Sequence, residues 1–151
     1  MALFVNNQIH FNAPVARVWD YLVNPAQTKK YMFGCEALSD WQPGSPLIWK
    51  GNFNGVELVA VKGNVVEIEP ERKLVYTTFD PNNPSLEDLP ENYLTVTYRL
   101  EPKDGGTDFY VQQGDFSTVA NGDARYKDAS NNGEGWMPLL IEIKKLVEAA
   151  N

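Results

Sequence analysis

The rhythm of apolar and polar positions changes along the chain, and each change marks an element boundary. The segment from Leu3 to Phe11 reads as a first strand that ends at Asn12-Ala13-Pro14. The period then lengthens: Val15, Val18, Trp19 and Leu22 fall at i, i+3, i+4 and i+7, the stripe of an amphipathic helix. Asn12 is the candidate N-cap of that helix, with Pro14 in its first turn, where no N–H is needed. Asn24-Pro25 gives a second start signal, a capping side chain followed by proline at the first helical position. Gly34 offers this shorter helix a left-handed stop.

From Cys35 to Phe116 the pattern is almost entirely strand and turn. Asn54-Gly55 is the pair of a type I′ turn, in which both central residues need positive φ, and it joins Leu47–Phe53 to Val56–Glu69. Glu69-Pro70-Glu71-Arg72 is the next reversal, followed by a strand from Lys73 to Phe79. Leu94, Val96, Tyr98 and Leu100 alternate with Thr95, Thr97, Arg99 and Glu101, as in a strand with one wet face. Asp104-Gly105-Gly106 turns into a last strand carrying Phe109, Val111 and Gln113 on one face. Short connections between successive strands predict an antiparallel meander.

Two stretches interrupt the rhythm. Residues 80–92 hold prolines at 81, 84 and 90 and acids at 80, 87, 88 and 91, too long and proline-rich for a tight hairpin. Residues 117–134 are polar, rich in Asn, Gly and Asp, and read as irregular. Both are either plain loops or lids over something bound inside. The chain closes with a helix from about Gly135 to Ala150. Its buried stripe is Trp136, Leu140, Ile143 and Val147, with Leu139 and Leu146 beside it and Glu142, Lys144, Lys145 and Glu148 facing solvent. Pro138 is tolerated in its first turn.

Composition narrows the partners. The 151 residues, 43% of them hydrophobic and 22% charged, suffice for a single domain spanning 1–151 with one core. An excess of 20 acidic over 13 basic residues gives −7. Phosphate backbones need clustered Lys and Arg, and anionic lipid repels such a chain, so neither nucleic acid nor a membrane is an expected partner. Cys35 is the single cysteine, which excludes an intrachain disulfide. The N-terminal segment lacks a basic region and no apolar run reaches 18 residues, so a cytoplasmic location is expected.

The order strand, two helices, six-strand meander and long terminal helix is that of a helix-grip fold, and the local text carries a resemblance. The stretches are Ala13-Pro14-Val15-Ala16-Arg17-Val18-Trp19, Trp41-Gln42-Pro43-Gly44-Ser45-Pro46, residues 63–77 from Gly63-Asn64-Val65 to Val75-Tyr76-Thr77, and Gly135-Trp136-Met137-Pro138-Leu139-Leu140. In this order they resemble the START-like (SRPBCC) superfamily and, within it, the family of activator of heat-shock protein 90 ATPase homologues. The resemblance implies an α+β fold, β-α-α-β(6)-α, whose curved antiparallel sheet wraps around the C-terminal helix with a groove or cavity between them. A helix about 10–12 Å wide cannot cover six or seven strands spaced about 4.8 Å apart, so such a space is physically reasonable. The family name implies a chaperone partner and a stress response. The fold alone does not fix the function, because it also hosts carriers, cyclases and resistance proteins.

Alternation and helix phase select the interior. From the sheet these are Trp49, Phe53, Tyr76, Val96, Tyr98, Phe109, Val111 and Gln113; from the helices, Trp19, Trp136, Leu140 and Ile143. Each either lines a ligand cavity or is plain core. Tyr98 and Gln113 are the telling pair, since buried polar groups need partners: they orient a ligand, or they bond each other or a water. His10, the sole histidine, reads as structural or surface, because one imidazole makes no multi-histidine metal site. Cys35, after the end of a helix, sits at the wrong terminus for an activated thiol. Glu87 and Asp88 read as solvated; Glu57 and Asp115 are the better candidates for a rim acid. Gly133-Glu134-Gly135 begins like a dinucleotide fingerprint, but no βαβ unit surrounds it. No cofactor, metal or catalytic residue is assigned. The expected function is non-catalytic binding of a small hydrophobic or amphipathic molecule. The alternative is a chaperone-partner module; lesser ones are a polyketide cyclase-like enzyme and a toxin-sequestering resistance protein.

Overall fold

In the computed structural model, which describes residues 2–149, the chain runs β1 (Val5–Phe11), α1 (Val15–Val23), α2 (Pro25–Thr28), β2 (Glu36–Ser39), β3 (Pro46–Phe53), β4 (Val56–Glu69), β5 (Lys73–Thr78), β6 (Leu94–Lys103), β7 (Gly106–Gly114), α3 (Gly122–Ser130) and α4 (Met137–Ala149). The seven strands form one antiparallel sheet in the order β1-β7-β6-β5-β4-β3-β2. Six of them make the meander, and β1 closes beside the last, with Val5 opposite Gln113 and Phe11 opposite Thr107. This is the α+β helix-grip architecture.

Turn chemistry sets the register. Asn54 and Gly55 hold φ of 54° and 85°, as the type I′ turn requires, and Phe53 faces Val56 across it. Asp104 and Gly105 do the same between β6 and β7. On β6 the alternation is as read: Leu94, Val96, Tyr98 and Leu100 are buried, and Arg99 and Glu101 are exposed.

The sheet curves because β4 is bent twice. Its pairing with β3 jumps from Val61↔Trp49 to Val59↔Lys50, leaving Ala60 over. Its pairing with β5 jumps from Val65↔Tyr76 to Glu67↔Val75, leaving Val66 over. Each extra residue bends the strand and raises its twist. Between the bulges, Gly63 runs so close to β5 that an added Cβ would lie 1.7 Å from the Thr77 carbonyl oxygen.

Helix starts differ from the sequence reading in informative ways. The N-cap of α1 is Pro14, not Asn12; the Asn12 N–H instead donates to Glu148 Oε2 at 2.9 Å, tying α4 to the start of α1. Asn24 does cap α2, accepting from the Ala26 N–H. That helix stops at Thr28, six residues before Gly34, and further turns lead to the left-handed Phe33 and Gly34. Residues 117–134 are not irregular throughout, because they contain α3. Its apolar stripe is too weak for periodicity to betray, but left-handed Asn121 and Asn131 bracket it. Asp123 in its first turn and Lys127 in its last complement its dipole. The terminal helix begins at Met137, after Trp136, and the expected end at Ala150 lies outside the described residues.

The main core lies between the sheet and the helices. Leu140, Ile143 and Val147 of α4 meet Phe11, Val18, Leu22 and Phe109 there. The principal contacts of α4 are with β1 and α1, one side of the sheet. The far end of the sheet is left uncovered by it. Among the described residues, no helix is long and apolar enough to cross a membrane.

Candidate functional site: an apolar pocket beside the start of the terminal helix

Where α4 stops covering the sheet, a pocket of about 520 Å³ opens. Its floor is Trp49 of β3, Tyr76 of β5 and Val96 of β6. Ala60 and Val61 of β4 form one wall, and Met32, Phe33 and Cys35, in the turns between α2 and β2, form another. Leu139 and Trp136 close it at the start of α4, and Arg125 reaches it from α3. The bulge explains a feature that alternation forbids: Ala60 and Val61 are neighbours in sequence, yet both line the same space.

Six of the twelve residues singled out from the sequence meet at this pocket: Trp49, Phe53, Tyr76, Val96, Gln113 and Trp136. The other six do not line it. Tyr98, Phe109, Val111, Leu140 and Ile143 are buried at 3% exposure or less under the body of α4, where the helix fills the sheet's concavity. Trp19 packs against the same core from α1. Sequence reasoning missed Met32, Phe33, Ala60, Val61 and Arg125, because turns, a bulge and a weakly patterned helix supply them. It also missed Asp80, which lines the pocket at the start of the proline-rich excursion.

Tyr98 and Gln113 find separate partners. The Tyr98 hydroxyl shares a hydrogen bond of 2.7 Å with that of Tyr76. Burial raises the pKa of both phenols, so both stay neutral and the pair is a fixed interior contact. Gln113 Oε1 accepts from Trp136 Nε1 at 2.9 Å, which locks the indole against the pocket. Tyr76→Phe is expected to cost about 1–3 kcal/mol, because it leaves the Tyr98 hydroxyl buried without a partner. The double variant Tyr76→Phe/Tyr98→Phe should regain most of that loss in urea unfolding. Equal stability of the single variant and the parent would show the pair to be dispensable.

The two irregular stretches are fastened together at the pocket's edge. Asn92 is buried: its Nδ2 donates to the Glu87 carbonyl, and its Oδ1 accepts from the Ala120 N–H at 3.0 Å. Its own carbonyl accepts from Arg125 Nη1 at 3.1 Å. The excursion is pinned a second time by stacked Phe79 and Tyr93, whose hydroxyl donates to Asp88 Oδ1 at 2.6 Å. Lys62 pairs with the same Asp88 carboxylate, and these contacts draw its pKa below the usual carboxylate range, the Lys62 bond first.

The remaining candidates lie elsewhere. Glu57 is an exposed partner of Lys50. Asp115 accepts from the Leu3 N–H and from the N–H and hydroxyl of Ser117, which together lower its pKa. His10 Nδ1 lies 2.7 Å from Asp108 Oδ1, on the β1–β7 pair. Cys35 is at the pocket but 3% exposed, and burial pushes its thiol pKa up, away from the reactive thiolate. Gly135 sits in a turn where a Cβ would be 2.4 Å from Asn7 Oδ1, so it serves packing rather than phosphate binding. Among the described residues, no three His, Cys, Asp or Glu side chains form a group fit for a metal ion. An open trough on the opposite sheet face, lined by residues such as Lys73, Arg99 and Gln112, is polar and unconnected to these groups.

Comparison with known proteins agrees with the architecture. The family model described as Activator of Hsp90 ATPase homolog 1-like protein matches residues 12–148. A solution structure from Cytophaga hutchinsonii is similar at 32% identity and a TM-score of 0.76, covering 99% of this chain and 98% of that one. CalU16 from Micromonospora echinospora is similar at 19% identity and a TM-score of 0.67, covering 95% and 73%. The Aha1 dimer from Colwellia psychrerythraea shares 16% identity and a TM-score of 0.69, covering 97% and 96%. At these last two identities the likeness is one of fold. No curated protein matches the chain.

Proposed function

The chain belongs to the Activator of Hsp90 ATPase homolog 1-like family, and from the pocket its sheet leaves beside α4 we propose that it binds one small hydrophobic or amphipathic molecule without transforming it. The observation that carries this reading is the pocket of about 520 Å³, floored by Trp49, Tyr76 and Val96 and edged by few polar groups. Ligand sites of this kind are concave and mostly apolar, with a small number of placed polar groups. Burying about 300 Å² of ligand is worth about 7 kcal/mol at about 25 cal/mol per Å². Association takes back at least about 4 kcal/mol, so burial alone leaves millimolar-range affinity and polar contacts must supply the rest.

Trp49 and Trp136 are built-in reporters. Titration with fatty acids, sterols and aromatic polyketides is expected to change tryptophan fluorescence and raise the thermal midpoint for at least one class. Silence from every class in both measurements removes this reading.

A chaperone-partner role draws support from a different observation. Phe33 is 83% exposed and Val56 62%, unusual for large apolar side chains, and Leu58 beside Val56 is exposed too. Such residues fit a protein contact better than water. A pull-down with the host's own chaperone at low salt, using Phe33→Ser as the control, tests it; a complex that ignores this substitution counts against it.

A further inference from the structure

The charge at the pocket's edge points to a class of ligand. Arg125 is half-buried on α3 and lines the pocket together with Trp136, Leu94 and Val96. Its Nη1 is engaged by two backbone carbonyls, those of Asn92 at 3.1 Å and Ala120 at 3.4 Å. Neutral carbonyls orient a guanidinium without balancing its charge. Among the described residues, Nε and Nη2 have no hydrogen-bond partner within the protein and no carboxylate forms an ion pair with Arg125. Asp80, the nearest acid in the lining, is exposed, accepts from the Asn82 N–H at 2.9 Å, and acts on Arg125 only at a distance.

A partly desolvated cation held by carbonyls beside an apolar wall is an incomplete ion site. Burial pulls the Arg125 pKa down, a sign of the same deficit. The fork of a guanidinium with two open positions matches a carboxylate. Gln113 adds a second directed group. Its Oε1 is committed to Trp136 Nε1, which leaves its Nε2 to donate elsewhere, and the residue lines the same pocket. Both groups thus offer donors; apart from Thr78 and Asp80, the rest of the wall offers apolar surface.

From this arrangement we infer that the pocket takes an amphipathic monocarboxylate, its head at Arg125 and its apolar body over Trp49, Tyr76 and Val96. This deepens the binding reading above and rests on it. It also explains why an acidic chain of net charge −7 keeps a half-buried arginine there: the attraction is local and at short range, whereas the distant surface charge is screened.

Decanoate, decan-1-ol and decyltrimethylammonium share one tail and differ in the head, so calorimetric titration of the full chain with each isolates the head's contribution. Decanoate is expected to bind at least ~10-fold more tightly than the alcohol, about 1.4 kcal/mol, with the cation weakest. In Arg125→Gln the preference for decanoate over decanol should vanish while decanol affinity stays as it was; Arg125→Lys should keep part of it. Thermal melting of each variant checks that the Asn92–Ala120 corner survives. Equal binding of all three ligands by the parent, or an undiminished preference in folded Arg125→Gln, overturns the carboxylate inference and leaves the pocket reading standing. If none of the three binds, both fall.

Discussion

Phe109→Ala is expected to destabilise the protein by about 3–5 kcal/mol, while ligand affinity per folded molecule changes little. Phe109 has no solvent exposure, and its ring lies 5.8 Å from that of Phe11 and 5.2 Å from that of Tyr98. Truncation therefore removes buried aromatic surface and leaves a cavity that β1, β7 and α4 cannot close without giving up their own contacts. In a chain of this size the loss lowers the melting midpoint by roughly 10 °C. Denaturant unfolding followed by far-UV circular dichroism measures it, and titration well below the midpoint measures binding. A near-neutral change in stability with binding lost would mean that Phe109 belongs to the ligand site after all.

That contrast separates what the sequence could reveal from what it could not. Period-two alternation places Phe109, Val111 and Gln113 on one face of β7, and the structure agrees. Alternation says which face is inside, but not how far along the strand a helix covers it. Coverage is decided by where α4 lands, and Leu140, Ile143 and Val147 land on the β1 side. Phe109 and Val111 are thereby core, while Gln113, two residues further on, reaches the pocket beside Trp136. The turns were legible because their residues have local requirements, as Asn54-Gly55 shows. The bulge at Ala60 was not, since an extra residue in a long strand leaves no local mark. Nor was Arg125 legible as a site residue: the apolar stripe of α3 is weak, and its place at the pocket follows from the long-range clasp with Asn92.

Ala60→Phe should close the pocket without unfolding the chain, and it is the sharpest test of where binding occurs. Ala60 is the residue left over at the β3–β4 bulge, so its backbone bears none of the cross-strand register on which the sheet depends. Ala60 is half-buried and lines the pocket together with Trp49 and Tyr76. A benzyl group there takes over about 100 Å² of surface that a ligand would otherwise cover, worth about 2.5 kcal/mol at about 25 cal/mol per Å². Decanoate or any other occupant should bind nearly 100-fold more weakly. The same ring meets apolar walls rather than a packed core, so the melting midpoint should hold or rise instead of showing the usual penalty for overpacking. The fluorescence response of Trp49 to added ligand should be lost with the affinity. Undiminished binding by folded Ala60→Phe would move the site off this pocket, leaving Arg125 and Gln113 with a purely structural role. A fall in both stability and affinity is told apart by Leu139→Trp, which fills the space from the first turn of α4 and leaves the strand untouched.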